Sequence, residues 1–549
     1  MLKRTVLATA VAALTIPAAT AAPYQPMDAR GLAMGNTGVA SAKRAHAPAY
    51  NPSLLSQRFG KDHFAIILPQ VGVAVADERE MIDTAQDITD EIFPRFEEAV
   101  KKQGAGTSLE EGIDGLKIAI TDLETSINSI SGVTAANIDP TLDDLRAKND
   151  ALNMATSKVQ QNLNTVGSAT KELTDALKSI SGSPLAAKVG LGTTVSIPGK
   201  KISTAVSVGG NANISAQVNF SDRDINLLNA YTPATEGYVG STQALSNSLD
   251  ATLNGLEGKS SADKVTGIQS AEADLKASAT SLKGYESDPV DALGGNPVIS
   301  GGKLTSGAAD PDLNSTLEVV AVSIMDVGVS LASEFEFSGH TVAIGVTPKI
   351  QKISTYHYGD EIDGFDDVET DDLKDYQKDY TRFNLDVGAS YRFGENSNWM
   401  AGAVIKNLFG GSFKYEDALV TPKDENGTAN GVPYYLTGGK VSLNPQVRGG
   451  IAYHSKWFNA AFDLDLIKNK AVAYEAETQY ASLGVELDVY QTFQLRAGYR
   501  TNLVSGGADV ATAGIGLSPF GVHLDIAAMA NPSDVKREAG AVLDLGFYF

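Results

Sequence analysis

The C-terminal half of the chain alternates hydrophobic and polar residues with a period of two. In the last such segment, every second residue from Ala539 to Phe549 is hydrophobic, and Asp544 lies on the opposite face. Because neighbouring residues of a strand point to opposite faces, this pattern predicts strands with one apolar and one polar face. The same alternation, with the charged residues on a single face, recurs at 447–454, 458–466, 481–489, 493–500 and 522–530.

A soluble sheet can show this alternation, but three features favour a transmembrane barrel. These are an export signal, the terminal aromatic residue, and repetition of the pattern with short turns between the strands. A transmembrane barrel needs one face for lipid and one for the lumen, and closure pairs every backbone group within the hydrocarbon. We therefore predict an all-β fold, a transmembrane antiparallel barrel. Leu545, Phe547 and Phe549 should face lipid and serve as the signal read by the barrel assembly machinery.

The turns predict the number of strands. Short turns are expected at 198–200, 338–340, 394–396, 455–456, near 490 and at 518–519. Long loops are expected at 76–185, 222–313, 358–377, 417–437, 468–470, 502–508 and 531–537. Short turns are typically periplasmic and long loops extracellular, so this alternation gives about fourteen strands with both ends in the periplasm. The count requires 201–221 to be one strand, bulged at 209–211, and twelve or sixteen strands stay open as alternatives.

Two of the long loops have a helical rather than a strand period. Residues 76–185 carry heptads on two segments with a break near Asp139-Pro140, which predicts an antiparallel helical hairpin. Asn149, Thr156 and Thr170 interrupt its seam. A second helical region is expected at about 240–284. Both insertions would lie outside the cell as a cap, which either binds partners or gates the channel, or only packs on itself to shield the pore mouth.

Residues 1–21 have the features of a signal peptide: Lys3 and Arg4, an apolar stretch from 6 to 16, and an Ala-Thr-Ala cleavage site at 19–21. The expected domains are thus this leader, an N-terminal hatch at 22–61, and a barrel at 62–549. The rest of the chain has no apolar stretch of about 18 residues that would predict a membrane helix. With no cysteine, disulfides and thiolate metal sites are excluded, and a net charge of −22 argues against nucleic acid as a partner.

The N-terminal region contains a Gly-rich stretch with Gly31, Gly35 and Gly38, followed by Asn51-Pro52. This resembles the N-terminal segment of the FadL-like long-chain fatty acid transporter superfamily. The resemblance implies a hatch that plugs a fourteen-stranded barrel and the transport of small hydrophobic compounds. Ser53 departs mildly from that pattern, where Ala is usual. The segments 407–409, 445–453, 463–466 and 496–500 more closely resemble a sister group, the TraF-like conjugal transfer proteins.

The polar faces of the predicted strands place charges of both signs in the lumen. Functionally, these charges could set selectivity or hold the hatch, and the arginines are the candidate anchors. The alternative is mutual neutralisation, because an isolated charge in a barrel interior is costly. The candidate residues are Arg448, Arg496, Arg500, Asp463, Asp465, Glu486 and Asp525.

Motifs of enzymes and cofactor sites are absent from the sequence, including the P-loop, G-x-S-x-G and H-E-x-x-H. His523 with Asp525 is the one arrangement that suggests hydrolase chemistry, and we predict neither an enzyme nor a cofactor. No metal site is predicted. The acidic loop with Asp360, Asp363, Asp366 and Asp367 is a weak candidate for Ca²⁺ or Mg²⁺, and a solvated loop is the alternative.

The sequence therefore predicts an outer-membrane channel or transporter of a Gram-negative bacterium, for small hydrophobic compounds and plugged by its N-terminal segment. The alternative is an outer-membrane scaffold component of a conjugal transfer or secretion apparatus, which would bind partners through the helical cap. The expected partners are outer-membrane lipid, lipopolysaccharide, the barrel assembly machinery and hydrophobic small molecules.

Overall fold

Fourteen antiparallel strands form a closed barrel, in which the first strand pairs with both the second and the last. The computed structural model describes residues 26–57, 64–101, 108–287, 297–309, 314–337, 340–362, 376–422, 429, 431–471, 473–490, 492–504 and 509–548. The barrel strands are β1 Ala65–Ala76, β2 Pro184–Ile197, β3 Ser203–Asn219, β4 Thr316–Phe337, β5 His340–Glu361, β6 Gln377–Phe393, β7 Trp399–Lys406, β8 Gln446–His454, β9 Phe458–Asp465, β10 Tyr480–Val489, β11 Phe493–Asn502, β12 Val510–Leu517, β13 Val522–Ala530 and β14 Ala539–Tyr548.

The order of connections confirms the predicted fold class and the strand number of fourteen. Each strand pairs with its neighbours in the chain, and connections of two to five residues alternate with long ones. All the short connections therefore lie at one end of the barrel, and all the long ones at the other. The predicted bulge at 209–211 is wrong, because β3 keeps an unbroken register with both neighbours. The irregularity lies instead in β1 around Pro69, which has no N–H to donate to a partner strand.

The outer surface of the barrel is a belt of exposed aliphatic side chains. In β1, for example, Val71, Val73 and Val75 are each between 44% and 47% exposed, whereas the intervening Ala74 is buried. Exposed aromatic residues mark three short turns: Trp457, Tyr490 and Phe520. An apolar belt bounded by aromatic residues is the surface of a transmembrane barrel of the outer-membrane type. Among the described helices, none is long and apolar enough to cross a bilayer.

A bundle of helices covers the end of the barrel with the long connections. Its core contains the predicted heptad positions, among them Leu145, Leu152 and Val159, each fully buried. The helices of this cap are α3 Met81–Asp87, which continues through a π-helical turn at Ile88–Ile92, α4 Phe93–Val100, α5 Leu109–Asn128, α6 Ile138–Ile180, α7 Asp222–Gly255 and α8 Ser261–Lys283. The remaining helices are α1 Ala29–Ala33 and α2 Ala47–Tyr50 near the N-terminus, and α9 Ser306–Ala309.

The boundaries of two predicted helical regions need correction. Pro140 does not break the hairpin; it lies in the first turn of α6, where a helix does not need its N–H. The break spans 129–137 instead. The second region begins at Asp222 rather than near 240, because α7 continues through Pro233. Helical packing against α6 thus outweighs the local effect of a proline.

The connection between β7 and β8 folds into the mouth of the barrel. It was predicted as a loop at 417–437, but it spans 407–445 and contains two small two-stranded sheets. Phe413 and Leu443 from this connection pack against Ile324 and Ile353 of the wall. The connection after β9 is likewise longer than the predicted 468–470, since the next strand begins only at Tyr480. Folded loops therefore occupy the upper lumen.

Candidate functional site

Residues 26–57, called the lumen segment below, lie inside the barrel. They form α1, a 3₁₀ turn at Arg44–His46, α2 and a second 3₁₀ turn at Pro52–Leu55. Almost every residue of the segment is buried. Its contacts reach the inner faces of β5 to β14. A short segment of chain thus touches most of the circumference of the barrel from within.

The three glycines singled out from the sequence lie at close contacts of the lumen segment. A Cβ atom on Gly31 would come within 1.7 Å of the Tyr50 hydroxyl, and one on Gly38 within 2.1 Å of the Tyr50 ring. Gly35 has a φ of +69° and packs against the backbone carbonyls of Leu483 and Tyr499 in the wall. Glycine is required at Gly31 and Gly38 because a side chain would have no space there. It is required at Gly35 because other residues rarely adopt a positive φ.

The Asn51-Pro52 pair shapes the end of the lumen segment and attaches it to the wall. The Asn51 carboxamide donates to the Val39 carbonyl at 2.9 Å and to the Ala389 carbonyl at 3.1 Å. Its oxygen accepts a hydrogen bond from the Ser53 amide, which caps the Pro52–Leu55 turn. The Ser53 hydroxyl then donates to Ser390 at 2.9 Å. Ser53, the departure from the family pattern, is therefore a wall contact.

A bidentate ion pair joins Arg30 of the lumen segment to Glu486 of β10. The guanidinium Nε and Nη2 donate to the two carboxylate oxygens at 2.9 and 3.0 Å, and Nη1 donates to the Ser41 carbonyl at 2.7 Å. Burial would lower the pKa of Arg30, but the Glu486 carboxylate raises it above its usual value, so Arg30 is charged. Glu486 also accepts from Arg496 at 2.7 Å, and Arg496 in turn donates to Asp525. These four side chains form one buried network.

A second group of contacts lies around β8 and β9. The Asp463 carboxylate accepts hydrogen bonds from the backbone amides of Gly38 and Val39, at 2.8 and 3.0 Å. Arg448 pairs with Asp465 at 2.9 Å and donates to the Asn36 carbonyl at 3.3 Å. Carboxylates of the wall thus bind N–H groups of the lumen segment, while Arg448 binds one of its carbonyls.

Only some of the predicted anchor residues contact the lumen segment. Glu486, Asp463 and Arg448 contact the lumen segment directly, whereas Arg496 and Asp525 lie one step behind Glu486. Arg500 donates to Glu538, in the connection just before β14, at 2.6 Å and stacks over Tyr480, and none of its described contacts involves the lumen segment. Arg500 therefore fits the alternative considered for the lumen charges, in which charges of opposite sign neutralise each other.

Sequence analysis missed Arg30, and it placed Asp544 among the lumen charges without predicting its particular contact with the lumen segment. Asp544 of β14 accepts a hydrogen bond from the Ala29 amide at 2.7 Å. Its position on the polar face of the last strand was evident, but no spacing connects it to the N-terminus. For Arg30, the available signal was a single basic residue in a Gly-rich segment that was expected to enter an acid-rich lumen.

The remaining predicted residues lie apart from this contact region. Leu545 and Phe547 share the outward face of β14 with exposed Leu543, and Phe549 lies outside the described residues. Asp360 is buried at the end of β5, where it accepts from the Glu361 amide, while Asp363, Asp366 and Asp367 also lie outside the described residues. His523 hydrogen-bonds to Ser518 at 2.9 Å, but Asp525 is held by Arg496 and does not orient the histidine.

A cavity of about 180 Å³ lies between the lumen segment and the folded loops. Met27 and Pro48 form part of its floor, and Leu443 and Asn469 part of its roof. Its wall combines apolar Ile324 with polar Lys349, Gln351, Asp386 and Lys406. Lys349 pairs with Asp326 and Asp386 at 3.0 and 3.1 Å, so much of the charge is neutralised locally. The cavity can hold several water molecules or one small organic molecule.

Comparison with known proteins gives one family match and several distant structural ones. A family model described as "F plasmid transfer operon, TraF, protein" matches residues 48–141 and 129–465. No curated protein matches the chain. The toluene transporter TodX of Pseudomonas putida matches over 96% of this chain and 99% of its own, with 11% identity and a TM-score of 0.41. The toluene transporter TbuX of Ralstonia pickettii covers the same shares, with 10% identity and a TM-score of 0.41.

Proposed function

The chain belongs to the family described as "F plasmid transfer operon, TraF, protein", and we propose that it is an outer-membrane channel kept shut by its lumen segment. The observation that carries this proposal is the buried contact of Arg30 with Glu486, supported by the amides bound to Asp463. A barrel of fourteen strands is wider than its own side chains can fill. A segment held across it by charged hydrogen bonds would obstruct the path for ions and solutes.

For the solute, we propose small hydrophobic compounds that carry one polar group. Ile324 and Leu443 offer apolar contact in the cavity, while Lys349 and Gln351 offer hydrogen bonds. Ligand sites commonly combine an apolar lining with a few convergent polar groups. The folded loop at 407–445 would have to move for a solute to enter from the capped end.

A cavity-filling variant tests this solute class. Ile324→Trp would fill the cavity from β4, whereas Met325→Trp places the same ring on the adjacent, outward-facing position. Native mass spectrometry with 1-octanol should show one retained adduct on the wild type and on Met325→Trp, and none on Ile324→Trp. An adduct that persists on Ile324→Trp, or that n-octane forms equally well, would contradict the proposed site.

Closure by the lumen segment can be tested in cells. Producing the chain without residues 26–57 should make a Gram-negative host sensitive to vancomycin, which is too large and polar to cross an intact outer membrane. Producing the full-length chain at the same level should leave the host resistant. Equal resistance, with the shortened barrel present and folded in the outer membrane, would contradict closure by this segment.

We also propose that residues 1–21 are removed during export and that the helical cap lies outside the cell, facing lipopolysaccharide. The supporting reason is that short turns of outer-membrane barrels are typically periplasmic. The alternative role, a scaffold of a transfer or secretion apparatus, draws support from the family description. Against it, the heptad side chains of the cap are buried within the cap itself and offer no apolar stripe to a partner.

A further inference from the structure

Three potential metal ligands meet where the lumen segment contacts the last barrel strand. Asp28 and His46 come from the segment, and Asp544 comes from β14. One ligand atom from each lies within 4.8 Å of the other two. All three side chains are at least nine-tenths buried, with exposed fractions of 1%, 6% and 2%. Two carboxylates and an imidazole are thus concentrated at one point away from solvent.

Several atoms of this cluster have no hydrogen-bond partner among the described residues. They are both ring nitrogens of His46 and Oδ1 of Asp544. The nearest approach is from His46 Nε2 to Asp544 Oδ2, at 3.6 Å. Asp28 is oriented by the Gly31 amide and by the Tyr50 hydroxyl, and each of its oxygens keeps a further lone pair. Buried polar atoms without a partner are uncommon in proteins and call for an explanation.

We propose that Asp28, His46 and Asp544 bind a divalent transition-metal ion such as Zn²⁺. Imidazole nitrogen and carboxylate oxygen are ligands that zinc accepts at about 2.0–2.2 Å. Tetrahedral coordination at that length separates two ligand atoms by about 3.4 Å, close to the 3.6 Å between His46 and Asp544. The two carboxylates balance the charge of the ion, and water would complete the coordination. The alternative is that a protonated His46 alone neutralises the carboxylates.

Such an ion would join distant parts of the chain. It would tie two points of the lumen segment, at Asp28 and His46, to the barrel wall at Asp544. If the lumen segment closes the channel, as proposed above, the ion would strengthen the closed state. The binding site itself does not depend on that proposal, because it requires only the contact of the lumen segment with β14.

Zinc binding to the full chain tests the site. The purified protein in detergent is treated with EDTA, dialysed and titrated with ZnCl₂ by calorimetry. We expect about one ion per chain. His46→Gln and Asp544→Asn should each weaken binding by at least the roughly 10–100-fold that loss of a supporting residue around a metal costs. The control His340→Gln removes an exposed histidine and should bind as the wild type does. Heat-modifiable migration verifies that each barrel is folded.

A second readout is independent of the variants. Co²⁺ added to the metal-free wild type should give the visible absorption bands of a four-coordinate site, which Zn²⁺ should abolish. Absence of Zn²⁺ binding, absence of the Co²⁺ bands, or binding that survives either ligand substitution in a folded barrel would overturn the proposal. The last result would indicate an adventitious ion only. None of these outcomes bears on conductance, so failure of the metal site and failure of the channel proposal are distinguishable.

Discussion

Arg30 and Glu486 form a bidentate ion pair, with contacts of 2.9 and 3.0 Å, although they are 456 positions apart in the chain. Both side chains are at most 5% exposed. In a buried pair of this kind, removal of one partner is costly, roughly 3–5 kcal/mol, because it leaves an uncompensated charge. The pair therefore links the position of the lumen segment to a single carboxylate of the wall.

Glu486→Gln should cause intermittent channel openings. The substitution keeps the shape of the side chain but leaves Arg30 and Arg496 without their shared carboxylate, so the lumen segment should leave its place part of the time. Single-channel recording in planar bilayers measures the openings. The control Glu477→Gln neutralises an exposed carboxylate and should remain as quiet as the wild type. A Glu486→Gln variant that shows no openings would mean that this ion pair does not hold the lumen segment in place.

Gly38→Ala should loosen the lumen segment. The added methyl group would lie 2.1 Å from the Tyr50 ring, and overpacking of this kind costs roughly 1–3 kcal/mol. Trypsin should then cleave after the buried Arg44, which is protected in the wild type. Gly115→Ala serves as the control, since nothing lies within 4 Å of its added methyl group. Equal protection of Arg44 in Gly38→Ala and the control would show that the contact tolerates a methyl group.

Cysteine labelling should establish which end of the barrel is outside. The chain contains no cysteine, so single substitutions give an unambiguous signal. On intact cells, a membrane-impermeant maleimide should label Ser270→Cys in the helical cap but not Lys456→Cys at a short turn; both positions are exposed. Lysed cells should show labelling at both positions. Labelling of Lys456→Cys alone on intact cells would reverse the assigned orientation.

Leu152→Ala should destabilise the cap without unfolding the barrel. Leu152 is fully buried in the seam of α6, and truncation of such a residue costs roughly 2–5 kcal/mol. The helical signal at 222 nm should melt at a lower temperature, while heat-modifiable migration of the barrel is retained. Met154→Ala, on the exposed face of the same helix, should leave the melting unchanged. Simultaneous loss of the barrel would show that cap and barrel unfold together.

Much of the barrel could be predicted because a membrane strand has a strict local signature. In β10, exposed Leu483 and Leu487 alternate with buried Ser482 and Glu486, which is visible in the sequence without any partner. The folded connection at 407–445 was not predictable in the same way. Its strands have only three residues each, too few for a periodic pattern, and they are stabilised by contact with the wall.

The candidate site was less predictable than the fold because its contacts are non-local. Gly31 and Gly38 could be identified as special, but Tyr50, which limits the space around both, could not be connected to them by spacing. The arginines of the wall were favoured as anchors. In the structure, carboxylates such as Glu486 and Asp463 make more of the described polar contacts with the lumen segment than the wall arginines do, because the N-terminal stretch presents backbone amides and one arginine.

Closure of the channel is tested most directly by recording conductance in planar bilayers before and after residues 26–57 are deleted. The intact protein should conduct poorly, because the lumen segment and its network around Glu486 occupy the barrel. The deletion should give a persistent open pore, since a barrel of this strand number has room inside once the segment is gone. Unchanged low conductance from a deletion that still forms a folded barrel would contradict the account.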